Sequence, residues 1–282
     1  MGSGKLAVII LTMNEEVHIE RAIHSIRNKA DEIFVIDSMS TDRTVEIAQS
    51  LGATVFQKPW ISYSEQLNWA LSKLPHDVDW VFRLDADEYV LPETDIKQDI
   101  WCLSEGAPDL AGIICLRSMV FAERLLKYGG MHKKPIMRLF RKNKAKYNDR
   151  MIDEHAIIEG DVKKSTICII DHCEKGMAFW KEKHRKYAVL EAQEFFKIKE
   201  EQLNASETDL NFSTEANSQK NRRKLYYSLP YFLRPLSYFI YRYFILFGFL
   251  DGWAGLKYTF FQAFWYRLMV EKNIKQQAKN KC

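Results

Sequence analysis

Two carboxylates one residue apart, Asp85 and Asp87 in Leu84-Asp85-Ala86-Asp87-Glu88-Tyr89, follow directly on the apolar run Trp80-Val81-Phe82-Arg83-Leu84. Placed where a buried strand stops, they can hold a hard divalent cation, Mg²⁺ or Mn²⁺, which takes carboxylate oxygens together with the oxygens of a bound phosphate. In open α/β sheets, ligands bind beyond the carboxyl ends of the strands. Asp77-Val78-Asp79 has the same spacing but precedes the run, which puts it at the opposite edge of the sheet. A solvated turn closing a strand would use the same residue types, so the surrounding elements have to decide.

Those elements alternate. Lys5-Leu6-Ala7-Val8-Ile9-Ile10-Leu11 reads as a buried strand. Asn14 is expected to N-cap the helix that follows, with Glu15 and Glu16 in its first turn, and Ile19, Ala22, Ile23 and Ile26 recur at helical spacing. Ile33-Phe34-Val35-Ile36 is a second strand ending in Asp37. The polar turn Ser38-Met39-Ser40-Thr41-Asp42 opens a helix over 43–51, and Thr54-Val55-Phe56 is a third strand. Ser62 and Glu65 form a capping box for a helix with Leu67, Ala70, Leu71 and Leu74 on one face. The run carrying the two carboxylates is the fourth strand. This β-α-β-α-β-α-β order predicts an α/β fold, Rossmann-like, with a mostly parallel sheet and helices on both faces. Asn14 and Glu15, Asp37, and Asp85 and Asp87 then converge on one edge.

Three strings, Val8-Ile9-Ile10-Leu11-Thr12-Met13-Asn14-Glu15-Glu16, Val35-Ile36-Asp37-Ser38-Met39-Ser40-Thr41-Asp42-Arg43-Thr44 and Leu84-Asp85-Ala86-Asp87-Glu88, resemble glycosyltransferase family 2. Gln66-Leu67-Asn68-Trp69-Ala70-Leu71, Arg138-Leu139-Phe140-Arg141, Glu154-His155 and Gly248-Phe249-Leu250-Asp251-Gly252-Trp253-Ala254-Gly255 resemble its lipopolysaccharide-core β-glucosyltransferase-like branch. The chain departs from the branch at Met39, where glycine is usual, at Asp153, where histidine is usual, and over residues 131–137.

The resemblance implies a GT-A fold and a metal-dependent, inverting transfer of a hexose, with glucose favoured, from a UDP-sugar. The acceptor would be a lipid-linked saccharide or lipopolysaccharide core in bacterial cell-surface glycan synthesis. Thr12, Asn14, Glu15, Asp37, Gln66, Asp85 and Arg138 would bind the nucleotide, and Asp87, Asp85 and His155 the metal. A carboxylate must take the acceptor proton; Glu154 holds the family position for it, with Asp153 as the alternative. His172 reads as an ordinary hydrogen-bonded histidine. Strand alternation places Arg138 and Phe140 on one face and Arg141 on the other, so one arginine of the pair is expected to face the diphosphate. The neighbouring basic residues Lys133, Lys134, Lys142, Lys144 and Lys146 suit either a solvated hairpin or an anionic partner. Two other readings stand beside this one. A GT-A nucleotidyltransferase would carry a Gly-rich, basic signature after the first strand, which Thr12-Met13-Asn14-Glu15-Glu16 lacks. A non-catalytic lipid-binding scaffold on the same fold would not need Asp85, Asp87 and Glu154.

Five cysteines without a C-x-x-C pair, in 282 residues, argue against a disulfide framework or a structural zinc site and for a reducing compartment. A net charge of +4 without a recognisable motif argues against nucleic acid. The apolar run at 6–11 is too short for a signal peptide, and residues 1–4 read as a vector remnant. The expected organisation is a GT-A domain over 5–178, an amphipathic helix and polar linker over 179–224, and aromatic-rich helices over 225–282. Residues 225–266 hold eighteen of the thirty-seven aromatic residues, yet Arg234, Arg242, Asp251 and Lys257 interrupt every window long enough to span a bilayer. Leu236, Phe239, Ile240, Tyr243, Phe244 and Phe247 form a helical stripe. The expectation is a peripheral protein on the cytoplasmic face of the inner membrane, whose aromatic-rich helices, broken by Arg234 and Arg242, lie in the interface with Tyr and Trp at the headgroup boundary. Packing on the sheet domain, or against a second copy through 225–268, is the competing reading.

Overall fold

The computed structural model describes residues 4–147, 156–204 and 229–280. The chain divides into two compact units. The first comprises residues up to Leu126 together with Met131–Gly176, and the second comprises Lys127–Gly130 and the residues from Met177 on.

The first unit is built in the expected order: β1 (Lys5–Thr12), α1 (Ile19–Ile26), β2 (Glu32–Asp37), α2 (Thr44–Ser50), β3 (Thr54–Gln57), α3 (Tyr63–Lys73) and β4 (Val78–Asp85). Then come β5 (Glu88–Val90), α4 (Ile96–Ser104), β6 (Leu110–Phe121), β7 (Arg124–Leu126), β8 (Lys134–Arg141), β9 (Ala145–Tyr147), β10 (Ala156–Ile158) and β11 (Asp161–Asp171). The main sheet has nine strands in the order β3-β2-β1-β4-β8-β6-β11-β5, with β7 paired to β6, while β9 and β10 form a separate ribbon. β3, β2, β1 and β4 run parallel, as do β6 and β11; β8 and β5 run against their neighbours.

Alternation along β1 explains the two faces. Leu6, Val8 and Ile10 pack with Ile19, Ala22, Ile23 and Ile26 of α1 and Ile96 and Ile100 of α4. Ala7 and Ile9 pack on the other face with Leu67, Ala70, Leu71 and Leu74. Burying each large aliphatic side chain contributes about 1.5–3 kcal/mol, so a one-residue slip in β1 would empty both faces at once. Because β1, β2 and β4 are parallel, Thr12 pairs with Asp37 and Leu11 with Asp85 at one carboxyl edge. Asp79 lies at the other end of β4, where its Oδ2 accepts the backbone N–H of Lys5 at 2.9 Å.

Two caps differ from expectation. α1 begins at Ile19, and Asn14 does not cap it: its φ is +56°, its N–H donates to Ser40 Oγ and its Oδ1 accepts from Thr41 N. Asparagine tolerates this left-handed conformation because its short side chain can bond locally, and here it bonds the next loop instead of its own helix. At α3, Ser62 Oγ accepts from Glu65 N, but the Glu65 carboxylate turns to Lys58 Nζ at 2.6 Å, so only half of the capping box forms.

In the second unit, α5 (Gly176–Asn204) buries Ala188 and Ala192, and Ala188 packs with Tyr266 and Val270 of the last helix. The helix Leu233–Ile240 continues into a π-helical turn and breaks at Phe247, whose φ is +56°. A 3₁₀ turn, Gly248–Asp251, then leads into the helix Gly252–Thr259. A Cβ on Gly255 would lie 2.2 Å from Gly248 O, so this crossing requires glycine. No described helix is long and apolar enough to cross a membrane.

Candidate active site

Two loops at the carboxyl edge, the ones after β1 and β2, are fastened to each other. Glu15 N donates to Thr44 Oγ1 at 2.7 Å, Glu16 N to Asp42 Oδ2 at 3.1 Å, and Arg43 N to Glu16 Oε2 at 3.2 Å. Asp37, with no exposed surface, accepts from Thr12 Oγ1, Ser40 N, Ser40 Oγ and Gln57 Nε2. A buried carboxylate needs this many donors to stay charged at low cost, and the result is a rigid floor between the ends of β1 and β2. Gln66 is 1% exposed; its Nε2 donates to Ser38 Oγ and Lys58 O, while its Oε1 has no partner among the described residues. An orphaned buried acceptor at this edge suits a ligand that brings an N–H or O–H. Glu15 is held by Lys175 Nζ at 2.7 Å and by His18 Nδ1 at 2.7 Å. Burial pushes its carboxyl up, but those two partners outweigh it and hold it below the usual range.

Beside this floor lies a cluster of alternating charges. Arg138 is 2% exposed; its Nη2 donates to Asp85 Oδ2 at 2.5 Å and to Glu88 Oε1 at 2.6 Å. Arg83 Nη2 reaches Asp85 Oδ1 at 3.3 Å, and Arg117 Nη1 lies 3.8 Å from Glu88 Oε1. Glu88 Oε2 in turn accepts the backbone N–H of Asp85. Burial raises the Asp85 carboxyl, but the Arg138 and Arg83 guanidiniums outweigh it and hold the group far below the usual carboxylate range. Glu88 is pushed up, first by burial and then by the charge of Asp85, against the pull of Arg138. Arg141 faces the other way: its Nε donates to Leu110 O and its guanidinium lies 4.8 Å from the centre of the Trp80 ring.

Asp87 differs from Asp85. It is half-buried in the turn between β4 and β5, and among the described residues nothing holds its carboxylate. Its backbone is pinned: Asp87 O accepts His172 N at 2.9 Å and lies 3.4 Å from Arg21 Nη2. Arg21 also donates to His172 O and Glu174 and lies over the Tyr89 ring. α1 thus clamps the turn that carries Asp87 to the end of β11. No group of three or more metal-type ligands occurs among the described residues. Asp87, with Asp85 beside it, has the oxygen chemistry that Mg²⁺ and Mn²⁺ take, and such ions commonly complete their shell with water and phosphate. Asp153, Glu154 and His155 lie outside the described residues.

Arg83, Glu88, Arg117 and Arg21 were not singled out from the sequence. Arg83 did carry a signal, because a charge inside a buried strand needs a partner. Arg138 was a candidate by resemblance, but its pairing with Glu88, fifty positions away, carried no signal.

The sheet, its helices and the acidic carboxyl edge define an α/β fold of GT-A type. A family model, Glycosyl transferase family 2, matches residues 7–146, so the chain carries a domain of that family. Among curated relatives, an uncharacterized glycosyltransferase of Rickettsia bellii (strain RML369-C) is 48% identical over 89 residues, 32% of this chain and 30% of that protein. The lipopolysaccharide core biosynthesis glycosyltransferase LpsC of Rhizobium meliloti (strain 1021) is 27% identical over 167 residues, 56% of this chain and 58% of that protein. The match therefore spans less than two thirds of either relative. Among solved structures, glucosyl-3-phosphoglycerate synthase from Mycobacterium tuberculosis in complex with Mg²⁺ and UDP is 31% identical over 30% of this chain and 34% of that one, with a TM-score of 0.28.

Proposed function

We propose that the chain transfers a hexose, with glucose favoured, from a UDP-sugar to a lipid-linked saccharide or lipopolysaccharide-core acceptor, working peripherally at the cytoplasmic face of the inner membrane. The observation that carries the reading is the contrast inside one motif: Asp85 is paired with Arg138 and Arg83, whereas Asp87, two residues further, keeps a carboxylate that no described residue holds. The family 2 domain and the similarity to LpsC, a lipopolysaccharide core biosynthesis glycosyltransferase, support the substrate classes.

On this reading Asp87, with Asp85, holds Mg²⁺ or Mn²⁺, which neutralises charge on the departing diphosphate when bound. Thr12, Asn14, Glu15, Asp37 and Gln66 form the nucleotide side of the cleft, and the orphaned Gln66 Oε1 offers an acceptor there. Arg138 keeps Asp85 ionised and in place. The acceptor oxygen attacks the anomeric carbon as its proton passes to Glu154, or to Asp153 in the alternative assignment. The bond from that carbon to the diphosphate oxygen breaks with both electrons on the leaving UDP, which inverts the anomeric centre. His155 would be a further ligand for that ion.

A donor screen that reads UDP release, with and without Mn²⁺ and in the presence of a bacterial lipid extract, tests the reading. Release from a UDP-hexose that requires both metal and lipid extract is the expected result. Turnover of a nucleoside triphosphate with pyrophosphate release would replace it with nucleotidyl transfer.

A further inference from the structure

We propose that the second unit inserts an apolar face, centred on Phe244, Ile245, Phe247 and Trp253, into the hydrocarbon boundary of an anionic bilayer. The proposal deepens the peripheral-membrane reading above and rests on it.

Between Pro235 and Leu256 the chain has two charged residues, Arg242 and Asp251, and both are inside, 4% and 2% exposed. Arg242 Nε donates to Gly129 O at 2.8 Å, and its guanidinium lies 5.7 Å from the Tyr238 ring and 5.5 Å from the Tyr258 ring. Asp251 accepts the backbone N–H groups of Lys127 and Tyr128 at 3.1 and 2.8 Å. The hydrocarbon is outside: Phe244 is 52% exposed, Ile245 62%, Phe247 54% and Trp253 67%. Arg242 is turned inward, and Arg234 Nη1 donates to Glu271 Oε2 at 2.8 Å. This arrangement spends both charges inside the unit, on backbone groups and aromatic rings. Its consequence is a surface stretch of more than twenty residues with no outward charge, and large exposed apolar patches mark interaction sites.

Charge decides what covers the face. Among residues 229–280 the two acidic side chains, Asp251 and Glu271, are both buried, whereas Lys272, Lys275 and Lys279 are exposed. Within residues 229–280 the exposed charges are therefore basic. Two copies meeting there would oppose like charges, whereas anionic headgroups complement them. Tyr231 and Tyr241, 41% and 43% exposed, suit the headgroup level. The breaks at Phe247 and at the 3₁₀ turn make the insertion a shallow wedge, and none of the described helices is fit to cross.

The test is vesicle flotation of the full chain on phosphatidylcholine alone and on phosphatidylcholine with phosphatidylglycerol. Wild type should float with both and better with phosphatidylglycerol, and high salt should remove only that increment. Phe244→Ser, Ile245→Ser and Trp253→Ser should each weaken partitioning about tenfold or more, the scale of exposing one large apolar side chain. Trp101→Ser, a change at a 48%-exposed residue of the first unit, should leave it unchanged. Lys272→Glu with Lys275→Glu should abolish the phosphatidylglycerol increment and spare the phosphatidylcholine binding. Variants that float like wild type overturn the proposal. So does a wild-type dimer, seen by light scattering without lipid, that the serine variants dissociate while no sample binds vesicles. Mn²⁺-dependent UDP binding on the same samples separates the two readings: intact UDP binding without flotation rejects the face alone, and flotation without UDP binding rejects the donor assignment alone.

Discussion

Replacing Arg138 by methionine should destabilise the sheet unit in a way that depends on pH. Arg138 joins two carboxylates of different exposure: the Glu88 side chain is 1% accessible and that of Asp85 32%. Without the guanidinium, Asp85 keeps Arg83 at 3.3 Å and access to water, so its share of the loss is small. Glu88 keeps only Arg117 at 3.8 Å and the N–H of Asp85, and it is left as a buried charge. Breaking a buried pair costs about 3–5 kcal/mol; the lower end applies here because half of the arrangement is wet. The sign with pH follows from Glu88. Its folded-state carboxyl is already raised, so its contribution to stability is greatest below the unfolded value near 4.3 and falls as pH rises towards the folded value. Losing Arg138 raises that folded value further. The variant should therefore lose about 3 kcal/mol at pH 8 and clearly less at pH 5.5, with a slope of at most about 1.4 kcal/mol per pH unit. Urea unfolding followed by tryptophan fluorescence reports it, since Trp80 is 1% exposed in the core. Adding Glu88→Gln to the variant should recover stability and flatten the pH dependence. A loss below about 1 kcal/mol at pH 8, or one that does not vary with pH, would refute the reasoning.

Asp87→Ala should abolish metal-dependent UDP binding in calorimetry while Asp79→Ala, at the opposite edge of the sheet, leaves it intact; equal losses would remove the positional argument. Glu154→Gln should keep donor affinity and lower turnover by about 10²-fold, the scale of a lost general base, and NMR of the product should show inverted anomeric configuration; a nearly silent Glu154→Gln beside an inactive Asp153→Asn would move the role by one residue. Met39 holds φ +63° with its side chain 52% exposed, so Met39→Gly should raise the unfolding free energy by about 0.5–1 kcal/mol as left-handed strain is relieved, which a shifted urea midpoint would show. Arg21→Ala should weaken Mn²⁺ binding more than it lowers stability, because the guanidinium pins Asp87 O, whereas Arg21→Lys should restore the fold but only part of the metal affinity.

Much of the first unit was legible residue by residue. Leu6 to Leu11 and Trp80 to Leu84 are apolar runs that a parallel sheet buries on both faces, and the spacing of Ile19, Ala22, Ile23 and Ile26 admits one helix face; such patterns are local and survive without knowledge of the partner. Because the β-α-β order fixes strand direction, it also placed Thr12, Asp37 and Asp85 on one edge and Asp79 on the other. Tertiary contacts decided the rest. Asn14 bonds Thr41 across two loops instead of capping its own helix. β8 inserts antiparallel between β4 and β6, which carries Arg138 to Asp85 and Glu88 and makes the first carboxylate of the motif an ion-pair partner. The same holds in the second unit, where hydropathy registers Arg242 and Asp251 only as interruptions. Whether a charge in an apolar stretch points to solvent or inward depends on what the folded chain offers it, here Gly129 O and the N–H groups of Lys127 and Tyr128, more than a hundred positions away. A sequence shows which groups must find partners, but the partners themselves are set by the fold.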